Sequence, residues 1–223
     1  MSLHRLALTW LLAGAIALLT PAAAAAAEDL VAYFPTGSGN GVTYGPGDGG
    51  YKIAFDAFQG ERVRTFAPYT PVPPIAGPSM TVSVKSQLIK GAVADIALIF
   101  GASEKGWYYA VMHEDSDRFW WSVGHHLEEG NRYQAIIAED IPDDSETIND
   151  LDDGNEISVT ILRREGDKPL LTLRINGAQV AQVSALHDAD DPLSPFGAVG
   201  VQATAYSGQG EAAYFFRDLT VTP

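Results

Sequence analysis

Residues 106–124, GWYYAVMHEDSDRFWWSVG, form two aromatic runs separated by an acidic segment. Side chains alternate between the two faces of a β-strand, so each run places different chemistry on its two sides. We predict a β-hairpin whose loop is residues 114–117. The predicted opposite pairs are His113 with Arg118, Val111 with Trp120, and Tyr109 with Ser122.

The two faces of this hairpin differ in character. One face is apolar and is predicted to pack in the core: Tyr108, Ala110, Met112, Phe119, Trp121 and Val123. The other mixes aromatic rings with polar groups, and we predict that it binds a ligand: Trp107, Tyr109, His113, Arg118, Trp120 and Ser122. Rings of this kind stack on the apolar faces of sugars, and the polar side chains bind hydroxyls. The alternative is that Trp107 and Trp120 are covered by a loop and add buried area, since aromatic residues are favoured in strands in any case.

The rest of the chain repeats this short-strand pattern. β-Branched and aromatic runs alternate with Gly, Pro, Asn and Asp, which is typical of an all-β sandwich. Asn176-Gly177 is the clearest turn, because a two-residue type I′ turn needs positive φ at both positions. The predicted strands are residues 51–58, 80–89, 93–100, 107–113, 118–123, 133–138, 156–163, 170–176, 179–184, 198–205 and 212–221.

Three segments interrupt this pattern. Residues 36–50 are glycine-rich, and we predict a flexible loop. Residues 66–78 carry five prolines and are predicted to cross one end of the sandwich in extended form. Residues 139–156 are strongly acidic and predict either a solvated loop or a cation site.

The N-terminal segment has the order of a secretory signal peptide. Arg5 precedes an apolar run, which leads into a row of alanines before Glu28. We therefore expect residues 1–27 to be a signal peptide and residues 28–223 to be a single β-sandwich domain, periplasmic or secreted. No membrane insertion is expected after cleavage, since no later segment is apolar over the about 20 residues that a span requires. The chain has no cysteine, so its stability must come from an ordinary core.

The charge of the chain narrows its partners. The formal net charge is −14, and such a surface repels nucleic-acid phosphates and anionic lipid headgroups. Nucleic acid is therefore not expected as a partner. Neutral ligands, cations and a protein partner remain open.

Several segments from residue 80 onward resemble the concanavalin A-like lectin/glucanase superfamily. They are MTVSV (80–84), DIALIFG (95–101), GWYYAVM (106–112), NEISVTI (155–161), LRINGAQVA (173–181), GAVGVQA (197–203) and YFFRDLTV (214–221). The likeness is greatest to laminin-G-like and 3-keto-disaccharide hydrolase-type bacterial domains. It implies a jelly-roll sandwich of two antiparallel sheets with a concave face that often binds glycans. The fold alone does not assign a function, because it carries enzymes, lectins and adhesion modules alike.

The catalytic motif of the glucanases in this superfamily is absent from the sequence. That motif is Glu-x-Asp-x-x-Glu, which aims its carboxylates into one cleft. Here the corresponding segment is Glu165-Gly166-Asp167, with Leu170 at the third position. A hydrolase would have to combine carboxylates from separate strands, for which the candidates are Asp56, Asp95, Glu114, Asp117 and Asp218.

The acidic segment contains a candidate calcium site. Calcium takes several oxygen ligands from loops, although the spacing here is not that of an EF-hand. The candidate ligands are Asp150, Asp152, Asp153, Asn155 and Glu156. The alternative is a hydrated acidic loop.

These observations favour an exported, non-catalytic carbohydrate-binding protein that uses the aromatic strand face, with a glycan or oligosaccharide as partner. The alternatives are a glycan-active hydrolase of the 3-keto-disaccharide hydrolase type and a structural or adhesion subunit that binds a protein. Ca²⁺ is the one cofactor considered.

Overall fold

The computed structural model describes residues 28–57, 63–72, 77–91, 94–114, 119–142, 145–146, 148–187, 193–206 and 210–223. In this part of the chain a 3₁₀ helix (Leu30–Tyr33) precedes fifteen strands. In chain order they are β1 (Gly37–Gly39), β2 (Val42–Gly47), β3 (Gly50–Phe55), β4 (Arg64–Phe66), β5 (Tyr69–Thr70), β6 (Ser79–Lys90), β7 (Ala94–Ser103), β8 (Gly106–Glu114), β9 (Phe119–Leu127), β10 (Arg132–Asp140), β11 (Asn155–Arg164), β12 (Asp167–Ile175), β13 (Ala178–Ser184), β14 (Ala198–Ala205) and β15 (Ala212–Thr222).

The strands form two antiparallel sheets. Sheet I has the order β1-β2-β3-β15-β6-β11-β12-β13, and sheet II has the order β10-β9-β8-β7-β14-β4, with β5 also paired to β14. The predicted all-β jelly-roll sandwich is confirmed. Each of the eleven predicted strands corresponds to one of these strands.

The core lies between the inner faces of the two sheets. Sheet I contributes Ile53, Val82 and Tyr214, and sheet II contributes Leu98 and Tyr108, all fully buried. The apolar face predicted for the central hairpin packs here as expected: five of its six members are buried, and Phe119 packs against them partly exposed. Burial of apolar surface at about 25 cal/mol per Å² is therefore the main force that holds the sheets together.

The pairing of β8 with β9 differs from the prediction. His113 lies opposite Trp120, Val111 opposite Ser122 and Tyr109 opposite Gly124. Glu114 belongs to β8 and accepts a hydrogen bond from the Leu151 backbone N–H at 2.8 Å, so the strand continues one residue further than predicted. The partner of each residue changes by two positions, and a shift of two preserves the face on which a side chain lies.

The predicted flexible loop at residues 36–50 is wrong, because it contains β1 and β2. Asn40-Gly41 and Asp48-Gly49 all have positive φ, between 50° and 82°, and form the tight turns that connect β1, β2 and β3. The Tyr44 ring stacks on Phe66 at 4.1 Å between ring centroids. The predicted turn at Asn176-Gly177 is confirmed, with φ of 50° and 82°.

The proline-rich segment was predicted to cross one end of the sandwich. Residues 69–70 in it instead form β5 and pair with residues 199–200 of β14. Residues 73–76 lie outside the described part of the chain.

The outer face of sheet I is polar. Its hydroxyl side chains pair across strands: Thr81 with Thr160 at 3.0 Å, and Ser83 with Thr220 at 3.0 Å. Cross-strand pairs of this kind stabilise a sheet and leave few unpaired groups on its surface.

The first described residues and the last strand meet on sheet I. β15, the last strand, lies between β3 and β6 in the middle of the sheet. The Asp29 carboxylate accepts hydrogen bonds from the backbone N–H groups of Asp218 and Leu219, both at 2.9 Å. It also accepts one from Val31 at the start of the 3₁₀ helix. In the described residues no helix has the length and apolar character needed to cross a membrane.

Candidate functional site

A cleft of about 300 Å³ opens on the outer face of sheet II. Its volume is at the lower end of the range typical of small-molecule sites, about 300–1,000 Å³. Residues in or directly beside strands β4, β7, β8, β9, β10 and β14 line it: Val63, Thr65, Asp95, Tyr109, Val111, Trp120, Ser122, Tyr133, Gln202, Thr204 and Tyr206. The cleft therefore combines aromatic rings with hydroxyl, amide and carboxylate groups.

A glycine makes room for the Tyr109 ring. Tyr109 lies opposite Gly124, and a Cβ atom at position 124 would overlap the Tyr109 hydroxyl and the Gln134 carbonyl oxygen. The ring therefore lies across the neighbouring strand and does not project away from it. Its centroid is 5.9 Å from that of Tyr133 on β10, so the two rings form one wall of the cleft.

Asp95 is held from two sides. One oxygen accepts a hydrogen bond from the Tyr206 hydroxyl at 2.5 Å, and the other contacts Nδ1 of His113. The His113 ring stacks on Trp120 with 4.9 Å between centroids, and meets Tyr206 edge-on at 5.7 Å. His113 thus fixes both the carboxylate and the indole ring that faces the cleft.

The phenols of Tyr109 and Tyr133 remain protonated in the neutral pH range. Burial is the largest cause of a raised pKa at Tyr109, and the nearby Asp95 carboxylate raises it further, while a hydrogen bond with Ser122 lowers it. Burial, together with Tyr109 and Asp95, raises the pKa of Tyr133 to about 12. Both hydroxyls therefore offer hydrogen bonds to a ligand and are poor proton acceptors.

Gln202 has an unused hydrogen-bonding atom. The residue is 5% exposed, and its Nε2 donates to the Thr204 hydroxyl at 3.4 Å. Its Oε1 is buried and has no hydrogen-bond partner among the described residues. Most buried polar atoms in proteins are paired, so this unpaired acceptor in the wall of a cleft suggests that a ligand or water supplies the donor.

The predicted ligand-binding residues divide into four groups. Tyr109, Trp120 and Ser122 line the cleft. His113 lies behind them, 7% exposed. Arg118 lies outside the described residues.

Trp107 is on the predicted face but away from the cleft. It is 7% exposed and packs against the His126 ring with 4.2 Å between centroids. For Trp107 the alternative interpretation, a covered aromatic side chain, describes its position better. Trp120 is only half-buried and lines the cleft.

The candidate carboxylates do not come together. Asp95 lines the cleft, whereas Glu114 is bound to the Leu151 backbone and Asp218 pairs with Lys85 at 2.9 Å. Asp56 is exposed, and Asp117 lies outside the described residues. Among the described residues that line the cleft, Asp95 is thus the only carboxylate.

The acidic loop is organised by Asn155. This buried side chain donates to the Asn149 backbone carbonyl at 2.8 Å and accepts from the Asn149 N–H at 3.0 Å. It also accepts from the Asn176 amide at 2.8 Å. Asn155 therefore acts as a structural bridge, and no three His, Asp or Glu side chains within the described ranges are placed to hold a metal ion.

Other cleft residues were not identified from the sequence. They are Val63, Thr65, Tyr133, Gln202, Thr204 and Tyr206. Alternation within β14 would have placed Gln202 and Thr204 on one face. That β14 pairs with β7, beside the hairpin, follows only from the topology.

With this geometry established, the chain was compared with known proteins. No model of a known protein family matches it, and no curated protein matches it in sequence. Among solved structures it is similar to the alginate lyase Aly36B, with a TM-score of 0.52, 9% identity, and coverage of 85% of this chain and 86% of that one. A mutant of Aly36B in complex with alginate tetrasaccharide gives a TM-score of 0.50 at 12% identity, covering 82% and 84%. An endo-β-1,4-glucuronan lyase from the fungus Trichoderma reesei gives 0.46 at 8% identity, covering 85% and 89%.

The comparisons show the fold. It is a jelly-roll sandwich of two antiparallel sheets. At such low identities a shared fold does not carry a shared activity.

Proposed function

We propose that this protein binds a saccharide, without chemical conversion, in the cleft on the outer face of sheet II. The observation that carries the proposal is the convergence of Trp120 and Tyr109 with hydroxyl, amide and carboxylate groups in one cleft. Aromatic faces contact the C–H groups of a sugar ring, and the polar groups bind its hydroxyls. Solved structures with a similar fold include an alginate lyase, so a carbohydrate ligand agrees with the uses known for this fold.

A non-catalytic role is favoured over hydrolysis by the chemistry of the cleft. Most glycoside hydrolases place two carboxyl groups on either side of the bond that is cleaved. In the described part of this cleft Asp95 is the only carboxylate, and it is already bonded to His113 and Tyr206. A glycan-active hydrolase of the 3-keto-disaccharide hydrolase type is the second hypothesis, and release of product from a bound glycan would establish it.

The other expectations from the sequence accompany this proposal. We propose that residues 1–27 are removed on export to the periplasm or the exterior, which N-terminal sequencing of the secreted protein would test. A structural or adhesion subunit with a protein partner is a third hypothesis, and co-purification with a defined partner would support it. A role for Ca²⁺ would show as binding that is lost on chelation.

Glycan-array binding followed by calorimetry tests the proposed function. The mature protein is compared with Trp120→Ala, which removes the half-buried ring of the cleft. Tyr33→Ala is the matched control, because Tyr33 is an exposed aromatic residue, 57% accessible, in the 3₁₀ helix that contacts β3 and β15 of sheet I.

We expect Trp120→Ala to weaken the affinity at least about tenfold, since truncation of an aromatic anchor commonly costs more than 1 kcal/mol. Tyr33→Ala should bind as the unmodified protein does. If no glycan binds, or if Trp120→Ala leaves a bound glycan unaffected, the proposal is wrong.

A further inference from the structure

The groups in the cleft that remain available to a ligand include two acceptors. One is Oε1 of Gln202, which is buried and unpaired. The other is the Asp95 carboxylate. Each of its oxygens has one described partner, whereas an ionised carboxylate offers about four lone-pair positions. A ligand that donates hydrogen bonds at both places would complete them.

The charge of the cleft points in the same direction. Among the lining residues that belong to the described ranges, Asp95 is the only charged one, and none is a lysine or arginine. A uronic acid ring would bring a second carboxylate close to Asp95 in a partly buried space, where like charges repel more strongly than in water. A neutral sugar avoids this repulsion, and the positively charged amino group of an amino sugar would be attracted to Asp95.

We propose that the cleft selects uncharged or amino-bearing sugars over uronates, with Gln202 and Asp95 accepting hydrogen bonds from the ligand. This inference rests on the proposed function and adds the class of saccharide. The proposed preference therefore disfavours alginate, the uronate named for one of the structural neighbours, as a ligand of this cleft. Gln202 and Asp95 determine the specificity, while Trp120 supplies the surface on which the sugar ring stacks.

A rival arrangement uses the same residues. If the Gln202 amide is turned round, its Nε2 faces the cleft and donates to a ligand, which would suit a carboxylate. This arrangement predicts a preference for uronates, so the sign of the preference separates it from our proposal.

The first experiment is a glycan array with neutral, amino-bearing and uronate oligosaccharides, read at about 0.15 M salt, where charges at the surface are screened beyond about 8 Å. Only signals that disappear in Trp120→Ala are counted. We expect these to come from neutral or amino sugars. A uronate among the strongest Trp120-dependent ligands would overturn this inference and leave the proposed function standing, whereas an empty array overturns both.

Two variants then test the acceptors by calorimetry with the strongest ligand from the array. Gln202→Leu should weaken binding about tenfold, because it leaves the ligand's donor unpaired. Gln182→Leu is the matched control: Gln182 also donates from Nε2 to a threonine, Thr172, but lies on the outer face of sheet I. Unchanged affinity in Gln202→Leu, with a thermal transition like that of the control, would refute the role of Gln202.

Asp95→Asn removes the charge and keeps an acceptor for the Tyr206 hydroxyl. It should narrow the difference in affinity between a neutral tetrasaccharide and alginate tetrasaccharide. An unchanged difference in a folded Asp95→Asn protein would show that this carboxylate does not set the preference. If that variant does not fold, the array and Gln202→Leu still decide the inference.

Discussion

The outer faces of the two sheets carry recesses of similar size that differ in whether their polar side chains are already hydrogen-bonded. Sheet I has a groove of about 390 Å³ between the acidic loop and the Asn176-Gly177 turn, and sheet II has the cleft of about 300 Å³. In the groove the amides are already bonded: Asn176 donates to Asn155 at 2.8 Å and accepts from the Glu156 N–H at 2.8 Å. In the cleft an acceptor of Gln202 is buried without a partner.

This contrast shows that volume is a weaker guide to a binding site than the state of the polar groups that line it. Groups that satisfy one another gain little from a ligand, because binding must first break existing hydrogen bonds. A buried group without a partner gains the whole interaction. The aromatic walls of sheet II add the apolar contact that the hydroxyl rows of sheet I lack.

The strongest test of the contrast is steric. Gly124 on sheet II is covered by the Tyr109 ring and the Gln134 carbonyl, whereas a Cβ at Gly39 on sheet I would meet no atom within 4 Å. Gly124→Ala should lower the free energy of unfolding by about 3 kcal/mol, because the added methyl group forces Tyr109 and β10 to move. Gly39→Ala should change it by less than about 0.5 kcal/mol. Urea denaturation measures both, and equal effects would contradict the packing described for Tyr109.

A second test compares one carboxylate contact from each face. The side chains of His113 and Asp95 are 9% and 16% exposed, while those of Lys85 and Asp218 are 48% and 51% exposed. In a double-mutant cycle with His113→Ala and Asp95→Asn we expect a coupling energy of about 2 kcal/mol. The cycle with Lys85→Met and Asp218→Asn should give less than about 1 kcal/mol, since solvent and salt screen exposed charges. A reversed order would mean that His113 does not hold Asp95.

The smallest expected effect concerns pH. His125 points to the inner side of sheet II beside His187, and burial is the largest cause of its lowered pKa, followed by the charge of His187. The unfolded chain therefore takes up a proton at this histidine more readily than the folded protein does. Its contribution to stability is present above the ordinary histidine pKa of about 6.5 and is lost as the pH falls below it.

The free energy of unfolding should therefore decrease between about pH 7.5 and about pH 5.5, by at most about 1.4 kcal/mol per pH unit for one proton. His125→Phe should reduce this slope. Lys85→Met, an exposed change on sheet I, should leave the slope as it is. An identical slope in all three proteins would show that His125 does not contribute.

Most of the fold follows from local sequence. The central parts of β6 and β11 alternate apolar and polar residues, over residues 79–85 and 156–161, and Asn176-Gly177 marks its turn clearly. The pairs Asn40-Gly41 and Asp48-Gly49 are turn signals of the same kind. The glycine content of residues 36–50 nevertheless predicts a loop, because glycine weakens strand propensity. The strand β2 is held by long-range contacts such as Tyr44 with Phe66, which the local sequence does not show.

The site was predictable only in part. The hairpin sequence placed Tyr109, Trp120 and Ser122 on one face. This assignment to one face is correct although the predicted register is wrong, because the register differs by an even number of residues. Gln202 and Tyr206 are about ninety residues away along the chain from the hairpin and reach it through the pairing of β14 with β7. Alternation within a strand carries no information on which strands are neighbours, so that part of the cleft required the structure.

The central position of β15 has a consequence for how the chain reaches its native state. Sheet I cannot close until residues 212–222 are available to lie between β3 and β6. During synthesis the facing edges of β3 and β6 therefore stay unpaired until β15 has been made. Unpaired strand edges can pair with other chains and so favour aggregation. We therefore expect folding to be completed only after synthesis and to be slow, because it depends on contacts of high sequence separation. Truncation of even the last dozen residues should leave an aggregation-prone, incomplete sheet and no smaller folded domain.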